Sequence, residues 1–360
     1  MFVSLVFNRS TPLFAQLMTI ESTALVGSGG CLNQRGVLEN RFPGELIGGI
    51  WEILPLQDLI AYGNTCRLNQ LRIQDVIWQS TDNEIRRFCT DPVGFRAMLW
   101  SNKSMVSGSV ALAALVPLKL RAWEPYDMDV YVSFRRLDRV LKYLETVDGY
   151  KILSRMAARP NDYPDVGGIR EVVKVRNTQG LCVDVIISDQ KSIFGPVFRF
   201  YGSHVFNGIT GWGLISMYPG QTLGGRSLWN FNAHEARRIP IGVQKSVVKY
   251  TAWGYDFSLN SVLHSGHPHE CGHSKSCPHT HRSMFDKGVL ALVFMDEGVT
   301  EGIFISNSLG AIYNGRHGNL WCLGGYPWRL DENETVEAAH FLEEAKSKNI
   351  MAKEVALRGG

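Results

Sequence analysis

The sequence has no apolar run of the length that a membrane span requires. Its first residues, MFVSLVFNRSTPLFAQLM, are apolar but lack the basic opening of a signal peptide, and the run breaks at Asn8-Arg9-Ser10. Cysteine is also sparse, because seven cysteines scattered over 360 residues do not make a disulfide framework. We therefore expect a soluble intracellular protein, in the cytoplasm or the nucleus, with no membrane partner.

A strong charge of one sign is missing as well. The 37 basic and 34 acidic side chains leave a net charge of +3, which does not indicate a dedicated nucleic-acid binder. Hydrophobic residues make up 45% of the chain and charged residues 20%, as in ordinary globular proteins. A chain of 360 residues is long enough for two or three domains.

Changes in pattern divide the chain into four parts. Residues 1–38 have no sustained period and contain the run GSGGCLNQRG, which predicts a weakly ordered leader. Residues 39–100 are predicted to form a helical segment, and residues 101–233 an alternation of strands and helices. Residues 234–360 are predicted to contain further helices and strands, together with a His/Cys-rich loop at 264–281.

The helical segment begins with apolar residues at helical spacing, interrupted by proline. Pro43 suits a first helical turn, Pro55 is expected to break the first helix, and Asp58 is expected to cap a second. Trp78 is expected to close the unit. The apolar face of the second helix is predicted to contain Leu59, Tyr62, Cys66 and Leu71.

This order of features resembles the F-box, a helical motif that docks on the Skp adaptor of a cullin ubiquitin ligase. The resemblance implies a Skp-type adaptor as partner and a role as a ubiquitin ligase adaptor; the alternative is a plain helical pair that packs on the next domain. The residues that carry the resemblance are Pro43, Glu45, Leu46, Ile50, Leu54, Leu56, Asp58, Leu59, Cys66, Asn69 and Trp78.

From Met105 onward the pattern predicts an α+β fold, with a small mixed sheet and helices beside it. Short strands are expected at MVSGS, DMDVYVS and YKILSRM, and a helix at RRLDRVLKYLETV. The segment REVVKVRNTQGLCVDVIISD is predicted to be a hairpin, with residues 177–180 between its two strands.

Three aspartates in these predicted strands suggest a metal site. Asp127 and Asp129 are two residues apart, so their side chains project from the same face of a strand. Two adjacent carboxylates repel each other unless a divalent cation takes oxygens from both. Asp184, centred in LCVDVII, would be expensive to bury alone and is expected to face the same site from a neighbouring strand.

A Gly-Ser pair precedes these aspartates at the predicted junction of a strand and a helix. Gly108 allows a phosphate to approach the backbone, and the Ser109 hydroxyl and the free N–H groups of the helix start can hold it. The turn would then hold a triphosphate, Asp127 and Asp129 would hold Mg²⁺ on it, and Asp184 would activate an attacking hydroxyl. The alternative is a sheet whose aspartates cap turns and face solvent.

This arrangement resembles the nucleotidyltransferase superfamily that includes DNA polymerase beta. The resemblance implies a nucleotidyltransferase-type sheet, Mg²⁺ as cofactor, a nucleoside triphosphate as substrate and an unidentified hydroxyl as acceptor. By the same resemblance, Gly108 and Ser109 would contact the phosphates, while Asp127, Asp129 and Asp184 would be the metal-binding and catalytic carboxylates. Seventeen residues separate Ser109 from Asp127, which requires a longer intervening loop than this superfamily usually has.

The layout of residues 43–225 also resembles a group of proteins from mushroom-forming fungi that have no assigned substrate. They share an F-box-like start, the GS…DxD segment, a DVI strand and a run similar to FRFYGSHVFNGITGWGLISMYPGQT. In that run His204, Asn207 and Tyr218 are polar candidates for the cleft, although a packed core is the stronger expectation. The alternative function is an adaptor whose second domain, active or not, recognises a target.

Arginines flank the acidic strand. Arg121, Arg135 and Arg136 could meet phosphates, but solvated surface side chains are the expected explanation.

Six of the ten histidines fall in HSGHPHECGHSKSCPHTH, residues 264–281. Cys271 and Cys277, with His273 and His279 as two of several available imidazoles, could hold Zn²⁺ as a structural staple. The C-x5-C spacing is wider than that of a zinc-finger pair, so an exposed loop with incidental histidines is the alternative.

Overall fold

The structure is a computed structural model. It describes residues 43–157, 169–188, 192–230 and 241–258, together with residue 239 and the short pieces 280–283, 288–293 and 320–321. The predicted leader lies outside the described residues. So do the proposed zinc ligands Cys271, Cys277, His273 and His279.

Helices come first in the described part of the chain. Their bounds are α1 (Gly44–Trp51), α2 (Leu56–Gly63), α3 (Arg67–Arg86) and α4 (Pro92–Asn102). Pro43 and Pro55 directly precede α1 and α2, so each proline stands where the missing N–H costs no helical hydrogen bond.

Three details of the predicted helical pair are wrong. Asp58 lies inside the first turn of α2 and does not cap it, because the helix already begins after Pro55. Cys66 and Leu71 do not lie on α2: Cys66 precedes α3 and its sulfur accepts a hydrogen bond from the backbone N–H of Asn69, at 3.5 Å. Trp78 lies in the middle of α3, which continues to Arg86.

The predicted α+β class is confirmed, but the mixed sheet within the described residues is large and not small as predicted, because strands at residues 207–216 and 290–293 extend it. Its eight strands are β1 (Met105–Ser107), β2 (Asp127–Ser133), β3 (Lys151–Ala157), β4 (Ile169–Arg176), β5 (Cys182–Ser188), β6 (Asn207–Thr210), β7 (Gly213–Ser216) and β11 (Leu290–Val293). They lie side by side in the order β11-β7-β6-β1-β2-β5-β4-β3. β2 and β5 are parallel, and the other neighbours are antiparallel.

The predicted strands at residues 105, 127 and 151 and the predicted hairpin of β4 and β5 are all present. Two short strand pairs lie outside the main sheet. β8 (Arg226–Leu228) pairs with β9 (Asp256–Ser258), and β10 (Arg282–Ser283) pairs with β12 (Leu320–Trp321). The remaining helices are α5 (Gly108–Leu115), α6 (Leu137–Asp148), α7 (Pro219–Thr222) and α8 (Ile241–Ala252).

The N-terminal helices and one face of the sheet share a hydrophobic core. Leu54 and Leu59 belong to the same buried cluster as Met128 of β2 and Val185 of β5. Burying these side chains fixes the helical segment against the sheet. Leu46, another residue of the F-box resemblance, is 57% exposed on α1.

A separate buried cluster joins α8 to α5. It contains Leu112 of α5, Val247 and Tyr250 of α8, Tyr201 from the segment between β5 and β6, and Trp229 just after β8. This packing places α8 beside the helix that begins with Gly108 and Ser109. Among the residues described, no helix is both long and apolar enough to cross a membrane.

Candidate active site

The three predicted carboxylates lie on two adjacent parallel strands. Asp129 of β2 pairs in register with Asp184 of β5, and Asp127 pairs with Cys182. All three aspartates are half-buried, whereas Met128 and Val183, their neighbours on the opposite face, are fully buried in the core. The sheet therefore presents Asp127, Asp129 and Asp184 on one face, as the sequence predicted.

The predicted Gly-Ser turn lies against these carboxylates. β1 ends at Ser107, which pairs with Asp129, and α5 begins at the next residue. Gly108 has φ +65°, and a Cβ atom there would overlap the carboxylate of Asp129. The hydroxyl of Ser109 is buried and has no hydrogen-bond partner in the part of the chain that the structure describes.

The surroundings of Asp129 raise the pKa of its carboxyl. Burial raises the pKa of Asp129 to about 8, with further contributions from the charges of Asp127 and Asp184. Lys249 and Lys174 oppose this rise in the pKa. Without a bound cation, the Asp129 carboxyl therefore retains its proton at neutral pH.

Lys174 is a residue of this site that the sequence analysis missed. It lies on β4 opposite Asp184 in the antiparallel pairing of β4 with β5. Its Nζ is 2.8 Å from Oδ2 of Asp184. One of the three carboxylates therefore already has a cationic partner within the chain.

Lys249 of α8 is a second cationic residue that the sequence analysis did not identify. Its Nζ lies 4.8 Å from the ring centroid of Tyr250 and 4.7 Å from that of Trp253. Within the described residues it has no carboxylate partner. Burial raises the pKa of Tyr250, with smaller contributions from Tyr201, Asp129 and Asp127. Tyr250 also belongs to the same buried cluster as Leu112 of α5, the helix that begins at Gly108.

Two indole rings stack beside Lys249. Trp253, just after α8, and Trp123, in the loop before β2, have centroids 4.1 Å apart and an interplanar angle of 2°. The stack thus connects the loop before β2 with the end of α8, the helix that contains Lys249. Neither tryptophan was singled out in the sequence.

The long interval between Ser109 and Asp127 consists of the rest of α5 and a loop that is anchored to α3. Arg121 pairs with Glu84 of α3, and Arg87 at the end of α3 pairs with Glu124 at 2.7 Å. The expectation of a solvated Arg121 is wrong, because its side chain is 0% exposed. Burial raises the pKa of Glu84, and the neighbouring arginines oppose that rise. Arg135 is exposed at the far end of β2.

The polar candidates His204, Asn207 and Tyr218 are all buried, as the expectation of a packed core required. The Nδ1 atom of His204 is 2.7 Å from the hydroxyl of Ser227, and its ring lies 4.4 Å from that of Tyr250. Burial lowers the pKa of His204 to about 3, with a smaller contribution from Lys249. His204 therefore supports α8 as a neutral core residue.

Comparisons with protein families, curated proteins and solved structures found no match. What this site can do chemically therefore follows from its own geometry.

The donor atoms fit Mg²⁺ in kind, because hard cations prefer carboxylate oxygens and the site concentrates three carboxylates. Within the described residues, however, no group of three or more His, Cys, Asp or Glu side chains is arranged as a ready metal site. The carboxylates therefore need side-chain movement, including release of Asp184 by Lys174, before all three could share an ion.

Proposed function

We propose that this protein is a nucleotidyltransferase-like enzyme that transfers a nucleotide from a nucleoside triphosphate to a hydroxyl acceptor with Mg²⁺. The observation that carries the proposal is the pairing of Asp129 with Asp184 on adjacent parallel strands, with Asp127 on the same face. The Gly108-Ser109 turn lies directly against Asp129, so the phosphate-binding and acidic elements adjoin.

Each part of the site has a separate task in this proposal. Asp127 and Asp129 hold the ion, which when bound neutralises phosphate charge during the transfer. The backbone at Gly108 admits a phosphate, and the unpartnered Ser109 hydroxyl donates a hydrogen bond to it. Lys249 supplies a second positive charge from α8.

The reaction exchanges one phosphorus–oxygen bond for another. The acceptor hydroxyl oxygen bonds to the α-phosphorus, the bond to the bridging oxygen breaks, and pyrophosphate leaves with those electrons. Asp184 takes the proton of the attacking hydroxyl, which requires that its carboxylate be free of Lys174 at that moment.

Isothermal titration with each of the four ribonucleoside triphosphates, in the presence of MgCl₂, tests the proposal. We expect one or more to bind, and Asp127→Asn/Asp129→Asn to weaken that binding by about a hundredfold because the ion loses two charged ligands. Asp75→Asn, at an exposed position on α3, is the matched control and should bind like the wild type. Equal binding by the double variant and the wild type contradicts the proposal.

A second candidate function is that of an F-box adaptor, and exposed apolar residues on and beside α1 favour it. Leu46 is 57% and Ile53 44% exposed, so both are accessible to a partner, whereas Leu54 and Leu59 are buried in this chain's own core. Co-purification with a Skp-type adaptor should therefore be lost in Leu46→Glu/Ile53→Glu, with the thermal unfolding midpoint unchanged. Capture of the adaptor by that variant would remove the support for this function.

A further inference from the structure

The position of Lys174 relative to the carboxylates has a consequence for metal binding. β4 lies next to β5, and Lys174 pairs in register with Asp184. The ammonium is 2.8 Å from Oδ2 of Asp184, a carboxylate that is only 16% exposed. The cation thus contacts an oxygen atom that the proposed Mg²⁺ site would need.

We propose that Lys174 is an internal counter-ion that competes with the divalent cation for Asp184. This inference rests on the proposed function, because it concerns the same carboxylates. In the metal-free protein the ammonium offsets the negative charge of Asp184, and it must leave Asp184 when a divalent ion enters. Lys174 therefore lowers the affinity of the site for metal while stabilising the empty site.

The surroundings of Lys174 allow this exchange. Its side chain is 45% exposed, so the ammonium can return to water on its flexible stem without crossing the core. A partly exposed ion pair contributes little net free energy. A divalent ion that contacts two or three carboxylates at once gains more, so metal can displace the lysine.

The balance of charge supports the same conclusion. Asp127, Asp129 and Asp184 can carry three negative charges, and Lys174 and Lys249 bring two positive charges to the same surroundings. A divalent ion added to this set meets electrostatic repulsion from both ammonium groups. Removal of Lys174 leaves a more negative site, which attracts the metal more strongly.

Titration of the purified full chain with MnCl₂, without nucleotide, tests the proposal by calorimetry. We expect Lys174→Gln to bind Mn²⁺ about three- to tenfold more tightly than the wild type. Lys174→Arg keeps the charge and should bind like the wild type. Lys151→Gln makes the same charge change on the exposed edge strand β3 of this sheet, and should also leave the affinity unchanged.

The salt dependence separates a competing charge from a merely structural role. The gain in affinity of Lys174→Gln should shrink as KCl is raised, because screening weakens the repulsion that the lysine exerts. Lys174→Met retains the apolar stem and serves as the second uncharged variant if Lys174→Gln does not fold. Both uncharged variants should also show a larger rise in thermal midpoint on addition of Mn²⁺ than the wild type.

Two negative outcomes are distinguishable. If the wild type binds Mn²⁺ and the uncharged variants bind it equally or more weakly, the counter-ion role is refuted and the proposed function stands. If neither the wild type nor any variant binds Mn²⁺, the metal site itself is refuted, and the proposed function fails with it.

Discussion

Gly108 lies directly against the carboxylate of Asp129, at the point where β1 ends and α5 begins. Its φ of +65° lies in the left-handed region, and a Cβ atom there would overlap a carboxylate oxygen of Asp129. The position therefore requires glycine for two separate reasons: its backbone is left-handed, and the Asp129 carboxylate leaves no room for a Cβ atom. Gly149, after α6, has a φ of +68° but nothing within 4 Å of a Cβ position.

Alanine at Gly108 and at Gly149 should have similar effects on stability and different effects on ligand binding. Each substitution should lower the free energy of unfolding by about 1–2 kcal/mol, because both residues have left-handed backbone. Only Gly108→Ala should abolish Mg²⁺-dependent triphosphate binding, because its methyl group displaces the Asp129 carboxylate. Chemical denaturation and calorimetry measure the two effects; equal loss of binding in both variants would indicate a global cause.

Asp129 should make the metal-free protein less stable as the pH rises. Burial raises its pKa to about 8 in the folded chain, from the ordinary value of 3.8. Between these values the unfolded chain has lost the proton that the folded chain retains, so the contribution of Asp129 to the free energy of unfolding falls with increasing pH from about 4 to about 8. Below pH 4 both states are protonated, and this contribution to stability is fully present.

Replacing Asp129 by Asn removes this titration. In EDTA at pH 7 we expect Asp129→Asn to be more stable than the wild type by about 1–3 kcal/mol, because the unfolded wild type is favoured by release of the Asp129 proton and the amide has no such proton to release. The difference should disappear near pH 4. Denaturant titrations over this pH range measure it, and a difference that is constant with pH would exclude the carboxylate as its cause.

The acidic face was predictable because it depends on local rules. Alternation along β2 places Asp127 and Asp129 on one side, and the apolar residues around Asp184 mark a strand that belongs in the same sheet. The Gly-Ser junction followed from the change between strand and helix patterns at Ser107. These features need no knowledge of distant parts of the chain.

Lys174 was missed because hairpin register depends on the geometry of the turn. A four-residue turn over 177–180 would pair Arg176 with Leu181 and leave Lys174 opposite Val183. In the structure Arg176 instead pairs with Cys182. A shift of one residue moves a side chain to the other face of a sheet, so the lysine could not be assigned from periodicity.

The observed register has a local cause at Asn177. Its side-chain oxygen accepts hydrogen bonds from the backbone N–H groups of Gln179 and Leu181, at 3.0 and 2.9 Å. Its own backbone N–H donates to the carbonyl of Leu181, and Gly180 supplies φ +86°. An asparagine that bonds to nearby backbone in this way is a recognisable turn signal. It is the sequence signal that could have predicted the register in which Lys174 lies opposite Asp184.

Lys249 and the Trp123–Trp253 stack could not be predicted from local pattern. Their positions depend on the buried cluster in which Tyr250 of α8 packs with Leu112 of α5, and against which Trp123 and Trp253 pack. That contact joins residues more than a hundred positions apart, and neither helical periodicity nor composition specifies it.

His204 should make the protein sensitive to acid. Burial lowers its pKa to about 3 from the ordinary value of 6.5. Between these values the unfolded chain binds a proton that the folded chain does not, so the contribution of His204 to stability falls as the pH decreases below 6.5, by about 1 kcal/mol per pH unit and in the opposite direction to that of Asp129. The free energy of unfolding of the wild type minus that of His204→Phe should therefore fall by about 1 kcal/mol per pH unit as the pH decreases below 6.5, whatever the constant offset from losing the Ser227 contact. His281→Gln, at an exposed position, should retain the wild-type dependence on pH.

A buried polar cluster between α3 and α4 consists of Asp82, Arg96 and Trp78. Arg96 donates to both oxygens of Asp82, from Nε at 2.8 Å and from Nη2 at 3.2 Å, and Trp78 Nε1 donates to Oδ2 at 2.9 Å. The Arg96 guanidinium also lies 4.3 Å from the centroid of the Trp78 ring. Trp78 therefore contributes to joining α3 with α4 and does not mark the end of a helical unit.

Removing only one charge of the Asp82–Arg96 pair should lower the free energy of unfolding more than removing both charges. Asp82→Asn leaves the guanidinium buried without its carboxylate and should lower the free energy of unfolding by about 3–5 kcal/mol. Asp82→Asn/Arg96→Met removes the stranded charge and should therefore lose less than the sum of the two single changes. Asp75→Asn, at an exposed position of the same helix, should change stability by less than about 0.5 kcal/mol. Additive losses in the denaturation cycle would mean that the pair is not coupled, and that α3 and α4 are joined by apolar packing alone.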